Sequence, residues 1–335
     1  IPLPLHLAPG RYRLILSLAE AGRWLGLSLP DGTFGGTQLE LGSLEVTAPP
    51  YSAGELDLVR ALDIPLAGLR IVGVTLPAEP LLAGERVPFS LGVQREPGTP
   101  PQALAWALVC DGVVCDAGEL SWPTSEPATW PSGHRYVLRY APRTDPGLVE
   151  GPCQLAVTAS PEESVDPSEY GVLGDIQIAQ RPRRFGLPSE PERPLEVWAG
   201  EFGGLAGADG PAQSLRAGDA ATVTLYWRAA AAADRNYAAF VHLVGPDGQV
   251  WAQSDHEPAG GQAPTMTWVE GEFVVDLHTL QLAADTPPGR YEVYVGLYAP
   301  DRGMRVPLYT RTSATAGLAP LPEARVRIAT VDVTP

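Results

Sequence analysis

The sequence predicts an all-β protein, built as tandem β-sandwiches of immunoglobulin-like or carbohydrate-module-like type. Three observations carry this. Apolar and polar residues alternate over strand-length runs. Gly and Pro number 36 each in 335 residues, dense enough to interrupt any long helix. One unit of short strands also recurs along the chain.

The first element is residues 1–48. Pro9-Gly10-Arg11-Tyr12 opens an alternating run through Leu14, Leu16 and Leu18, and the segment closes on Leu44-Glu45-Val46-Thr47. Pro288-Gly289-Arg290-Tyr291 opens the same run near the other end, through Val293, Val295 and Leu297, and closes on Val331-Asp332-Val333-Thr334. Arg23 and Arg302 fall at matching offsets. Residues 1–48 therefore read as the back half of a sandwich, with apolar faces and strand edges in need of cover. The missing half is expected upstream of Ile1, on the middle domain, or on another copy of the chain. Residues 49–59, after Ala48-Pro49-Pro50-Tyr51, read as a Pro-rich linker.

Residues 60–180 are a divergent copy. Ala83-Gly84-Glu85 leads into Val87, Phe89, Leu91 and Val93, and Asp111-Gly112 marks a hairpin. Gly151-Pro152-Cys153 stands in the Pro-Gly-Arg-Tyr place, and the run Leu173 to Ile178 matches Leu41 to Val46. Residues 181–193 form a second Pro-rich connector whose Arg181, Arg183 and Arg184 could grip an acidic surface, and are expected to be solvated or to neutralise the acidic domains either side. Residues 194–335 are a full copy. Ala217-Gly218-Asp219 leads into Ala221, Val223, Leu225 and Trp227, Gly245–Gly248 turns a hairpin, and Trp268 with Gly271 matches Trp130 with Gly133. Tyr12 and Tyr291 read as corner tyrosines tying a loop to the sheet. The Gly203-Gly204 and Gly260-Gly261 pairs read as turns.

Composition narrows the function. The charge is -16, from 23 basic and 39 acidic residues, which argues against nucleic acid as a partner. All the basic residues are Arg, and Asn occurs once, at Asn236, a bias attributed to a GC-rich genome. No apolar run is long enough to span a bilayer. Cys110, Cys115 and Cys153 are too few for a disulfide scaffold and fit no zinc spacing. Cys110 and Cys115 fall diagonally on one face of a hairpin, three pairings stay open, and parity leaves one thiol unless it bonds another chain. No Gly-x-Ser-x-Gly elbow or phosphate loop occurs, and acidic pairs such as Glu162-Glu163 sit in polar connectors. The expectation is no enzyme, no catalytic residue, no metal and no cofactor.

The third unit carries Phe240-Val241-His242-Leu243, Gly245-Pro246-Asp247-Gly248, Gln253, Asp255, Trp268, Gly271, Asp276, His278 and Gly296-Leu297-Tyr298. This resembles the extracytoplasmic C-terminal β-sandwich regions of bacterial membrane glycosyltransferases of the protein-mannosyltransferase-like type. The resemblance implies an extracytoplasmic, cell-envelope module, part of a larger parent, whose catalytic apparatus lies elsewhere. The middle unit departs from the pattern, with Leu138 and Tyr140 in place of Asp276 and His278.

The leading expectation is a non-catalytic module for spacing, assembly or partner recognition, self-associating through residues 1–48. The alternative is carbohydrate binding, with hydrolysis a distant third. A four-residue loop at Gly245–Gly248 would set His242 opposite Trp251 and Phe240 opposite Gln253. Phe240, His242, Trp251, Gln253 and Asp255 would then share an outer face where an aromatic ring stacks on a sugar and polar groups pair with its hydroxyls. His242, Asp255, Asp276 and His278 could hold a metal only if they converged, and a structural hydrogen-bond pair is the expected reading. His134 and His256 read as exposed.

Overall fold

The computed structural model describes residues 10–17, 19–20, 23–24, 38–46, 58–66, 68–98, 103–122, 130–158, 168, 170–311 and 318–335. Pro9, Leu18, Thr47, the connector at Ala48–Tyr51 and the Glu162-Glu163 pair lie outside the described residues. The fold is all-β. Contacts divide the chain into unit 1, Ile1–Leu16 with Glu40–Gln180, and unit 2, Ser17–Leu39 with Arg181–Pro335.

Unit 1 is a sandwich of two sheets. The five-stranded sheet runs in the order Val113–Leu120, Leu104–Cys110, Gly151–Thr158, Gly171–Ala179, Leu81–Leu82, and its last pair is parallel. The four-stranded sheet runs Arg135–Tyr140, Phe89–Arg95, Leu69–Thr75, Arg60–Leu66. Alternation puts Phe89, Leu91 and Val93 inward against Trp106, Leu108 and Leu155, all buried in one cluster.

Unit 2 repeats the plan. One sheet runs Phe273–Gln281, Ala220–Ala229, Gly203–Asp209, Arg193–Ala199, Leu308–Arg311, Leu318–Pro320. The other runs Ser214–Arg216, Val326–Thr334, Gly289–Ala299, Ala238–Val244, Val250–His256, with Met304–Arg305 pairing off Gly289–Ala299. In both units a short early strand crosses to the second sheet and pairs parallel with the last strand. The remaining ladders are antiparallel, an immunoglobulin-like arrangement.

The repeat shows in backbone detail. Gly84 and Gly218 take φ of 93° and 90°, a region that favours glycine, and each is followed by the same turn hydrogen bond, Glu85 N–H to Leu82 O and Asp219 N–H to Arg216 O. Trp130 and Trp268 are both buried. Leu138 pairs with Leu91 and Tyr140 with Phe89, while Asp276 pairs with Leu225 and His278 with Val223. Leu138 and Tyr140 thus occupy the register positions of Asp276 and His278. The Tyr291 hydroxyl donates to Pro287 O at 2.8 Å, the corner contact expected of it.

Gly10–Ser17 and Gln38–Val46 form a two-stranded sheet. Their counterparts, Gly151–Thr158 with Gly171–Ala179 and Gly289–Ala299 with Val326–Thr334, are also neighbours. The counterpart pairs have strands on both flanks; among the described residues the Gly10–Ser17 pair has none. Leu14, Ile15, Leu16, Leu39, Leu41 and Leu44 stand exposed on it.

Two expectations need correction. Gly203 and Gly204 lie in a strand, not a turn, because a Cβ at Gly204 would fall 2.0 Å from Val197 O of the neighbouring strand. The Arg181–Arg184 connector is solvated only in part: Arg184 is exposed, whereas the other two arginines neutralise a buried carboxylate. Arg181 and Arg183 are almost buried in unit 2 against Glu272, itself wholly buried. Glu272 Oε2 accepts from Arg181 Nη2 at 2.9 Å and Arg183 Nη1 at 3.0 Å. Thr267 O accepts Arg183 Nη1 at 2.7 Å, and Arg184 O accepts Phe273 N–H at 2.7 Å. The arm is held because a buried carboxylate needs its counter-charges. Burial pushes the Arg183 guanidinium below its ordinary pKa, a shift that Arg181 adds to and Glu272 opposes.

Candidate functional site

The hairpin read as a binding platform has a different register. His242 pairs with Gln253, Phe240 with Asp255 and Val244 with Val250. A five-residue loop, 245–249, and a β-bulge at Trp251 account for the shift. Gly245 N–H donates to Gln249 O at 2.9 Å, and Asp247 Oδ1 accepts both Gln249 N–H at 3.0 Å and Trp251 Nε1–H at 3.2 Å. Trp251 packs against the interior cluster of unit 2, away from Phe240.

Phe240, His242, Gln253 and Asp255 do share the outer face. Phe240, however, is only 2% exposed. Its ring lies over Gly296, with the Arg305 guanidinium 4.8 Å above its centroid and the His242 ring 4.6 Å away. His242 Nε2 stands 3.4 Å from Asp255 Oδ1. Beside them, burial pushes the Tyr298 phenol up to about 12, with the Asp255 charge adding to the shift. The cluster is capped, so it offers no open ring for stacking. A Cβ at Gly296 would fall 2.3 Å from Phe240 Cζ. Gly296→Ala is therefore expected to expel the ring and cost roughly 1–3 kcal/mol, read as a lowered melting midpoint. An unchanged midpoint would show that Phe240 is not fixed by that glycine.

The suggested metal set splits in two. His242 and Asp255 lie on the outer face, whereas Asp276 and His278 point between the sheets and meet His256. Ser254 and His256 face inward because they pair with Val241 and Ala239, both core residues. Asp276 and His278 are wholly buried. Asp276 accepts Trp227 Nε1–H at 3.0 Å and Ala259 N–H at 2.9 Å, and its Oδ2 stands 3.1 Å from His278 Nε2. The His256 and His278 rings stack 4.0 Å apart at 10°. His256 is thus half-buried rather than exposed, as is His134, whose Nδ1 stands 3.5 Å from the Tyr136 hydroxyl.

His256, Asp276 and His278 bring one ligand atom each within 4.8 Å. An ion there would have to displace the donors already on Asp276. His278 Nδ1 lies 3.1 Å from Ser254 Oγ, which completes the serine–imidazole–carboxylate order of a hydrolytic relay. The imidazole is wholly buried and Ser254 half-buried, and His278 Nδ1 lies equally near Ser254 O, at 3.1 Å, so the hydroxyl competes with its own carbonyl for the ring nitrogen.

The sequence reading missed a recess on unit 2. On the outer face of the six-stranded sheet, Arg193–Ala199 bulges against Gly203–Asp209: Pro194 pairs with Gly207 and Val197 with Leu205, so Leu195 and Glu196 stand opposite Ala206, which is in turn the extra residue of Gly203–Asp209 against Ala220–Ala229. The strands part there around a pocket of about 280 Å³. Trp198 and Arg228 flank it, one on each side of Gly204, with Glu196 at its rim. Tyr309 pairs with Trp198 and extends the aromatic row. Bulges recur beside binding sites because they free backbone polar groups and re-aim side chains. The available signal was alternation: Val197 and Ala199 inward places Trp198 outward.

No family model matches the chain, and no curated protein matches it. Among solved structures, the C-terminal domain of Wzt is 13% identical, with a TM-score of 0.28, over 45% of this chain and 89% of that one. The ICAM-5 D1–D4 ectodomain fragment is also 13% identical, with a TM-score of 0.19, over 97% of this chain and 61% of that one. Likenesses this remote say nothing of ligand or partner; the sandwich assignment rests on the strand order and register above.

Proposed function

We propose that the chain is a non-catalytic, extracytoplasmic recognition module of the cell envelope, and that unit 2 binds a glycan on the outer face of its six-stranded sheet. The parted ladder beside Trp198 carries this reading. An indole offers a flat apolar surface for a sugar ring, while Arg228, Glu196 and the unladdered backbone offer hydrogen-bond partners at its edge. The burial of His278 supports a role without catalysis. A glycan-binding screen of the full chain tests the proposal. Trp198→Ala is expected to weaken binding about tenfold or more, near 1.4 kcal/mol, with Trp251→Ala leaving it unchanged. Absence of binding, or binding indifferent to Trp198, removes the reading; turnover of chromogenic esters or glycosides removes its non-catalytic part.

The exposed leucines of the Gly10–Ser17 and Gln38–Val46 pair support assembly as a second role. The sequence repeat reads residues 1–48 as a half unit, and a second copy of the chain would supply the flanking strands. Light scattering across a concentration series is expected to show association that Leu41→Asp weakens. A monomer at every concentration sinks self-association.

A further inference from the structure

Unit 1 holds a chemistry that the glycan reading does not use. Cys110 ends the strand Leu104–Cys110, and Cys153 sits directly across from it on Gly151–Thr158, with Cα atoms 4.3 Å apart. Cys115 follows the tight turn at Asp111 and Gly112, and its Cα lies 6.0 Å from that of Cys110. Val114 pairs with Val109 and Asp116 with Leu108, so Cys115 is the extra residue of a β-bulge. The bulge turns its side chain toward Cys110. Cys110 Sγ stands in bonding contact with both Cys115 and Cys153, and the three sulfurs lie within 4.8 Å of one another. A thiol sulfur forms one S–S bond. Cys110 therefore holds one partner at a time and leaves the other as a thiol.

Two observations select the partner. Cys115 Sγ lies 3.2 Å from Leu108 O, an acceptor that a thiol at this place can use. Cys153 is 3% exposed in the core of unit 1, whereas Cys115 is exposed on Val113–Leu120, the edge strand of its sheet. We infer that Cys110–Cys153 is the resting disulfide and that Cys115 is an accessible exchange thiol, which takes small disulfides from solution and can trade places with Cys153 on Cys110.

The external step begins with loss of the Cys115 proton to water. The thiolate attacks one sulfur of a small disulfide, RS–SR. A Cys115–SR bond forms, the RS–SR bond breaks, and RS⁻ leaves to take up a proton. In the internal step the Cys115 thiolate attacks Cys110 Sγ. The Cys110–Cys115 bond forms, the Cys110–Cys153 bond breaks, and Cys153 leaves as thiolate and is protonated. Each step makes one disulfide and breaks one, so no further oxidant is needed. The internal swap moves the free thiol from an exposed position to a buried one and closes the site to reagents.

The test uses the full chain purified without reductant, a thiol-counting reagent applied before and after denaturation, peptide mapping by mass spectrometry, and oxidised glutathione as the probe disulfide. One thiol per native chain is expected to react, the label mapping to Cys115 and the cross-link to Cys110–Cys153. Oxidised glutathione should add one glutathionyl group. Cys115→Ser is expected to abolish both reactions and keep the cross-link. Cys153→Ser should form Cys110–Cys115 and show no native-reactive thiol. If the native chain has no reactive thiol and denaturation exposes Cys153, the assignment is overturned. Three reactive thiols in the native chain overturn it as well. Both outcomes are read on the wild-type chain, so they do not depend on a variant folding.

Discussion

Replacing Glu272 with glutamine is expected to destabilise unit 2 by about 3–5 kcal/mol, the range for leaving a buried charge without its partner. The side chain of Glu272 is 1% exposed and those of Arg181 and Arg183 are 8% and 12%, so water cannot solvate the guanidiniums when the carboxylate is neutralised. The loop loses hold as well, since Arg181 Nε donates to Thr267 Oγ1 at 2.8 Å and Glu272 Oε2 accepts Val269 N–H at 3.3 Å. At roughly 2–4 °C per kcal/mol for a domain of this size, the unit 2 melting midpoint should fall by about 10 °C. Removing all three charges, as Arg181→Met, Arg183→Met and Glu272→Met, should cost less than removing Glu272 alone, because nothing charged is then stranded. A Glu272→Gln midpoint within a degree of the parent would show that the arm is hydrated after all.

The fold was legible because its signals are local and periodic. Alternation at Phe89, Leu91 and Val93 and at Val223, Leu225 and Trp227 marks the inward faces of two equivalent strands, and the paired turns after Gly84 and Gly218 follow from glycine in a positive-φ region. Even the weak match of Leu41-Gly42 to Leu173-Gly174 has a backbone counterpart, φ of 146° and 155°. The arginine arm was not legible. Its partner Glu272 is remote in sequence, and composition cannot separate a solvated Arg from one that finds a buried carboxylate.

The site was harder to read because a single residue of register decides which side chains share a face. Asp247 accepts from both Gln249 and Trp251, and the bulge that results takes Trp251 off the His242 row. The recess at Trp198 depends on bulges in neighbouring ladders, a relation among three strands that no strand shows alone. The cysteines fall between these cases. The diagonal of Cys110 and Cys115 follows from the Asp111-Gly112 turn, but the cross-strand position of Cys153 needs the pairing of strands distant in sequence.

Asp276→Ala is expected to cost about 3–5 kcal/mol as well, for a different reason: it leaves Trp227 Nε1–H, Ala259 N–H and His278 without their acceptor inside the sandwich. His278→Ala should cost less, about 1–3 kcal/mol, because the carboxylate keeps Trp227 Nε1–H and Ala259 N–H and loses only the imidazole. Unit 1 supplies the control, since the register positions of Asp276 and His278 are filled there by Leu138 and Tyr140, both buried. The immunoglobulin-like framework therefore does not require a charge at this place. The double replacement Asp276→Leu with His278→Tyr should lose clearly less than the sum of the single alanine losses, because neither member of the pair is left alone. The indole and Ala259 amide hydrogens would still lack an acceptor, so some loss remains. Strict additivity in a cycle of the Asp276→Ala, His278→Ala and doubly substituted chains would mean that the two groups do not act as a unit. The network would then be a set of independent hydrogen bonds rather than a coupled pair closing the edge between the Val250–His256 and Phe273–Gln281 strands.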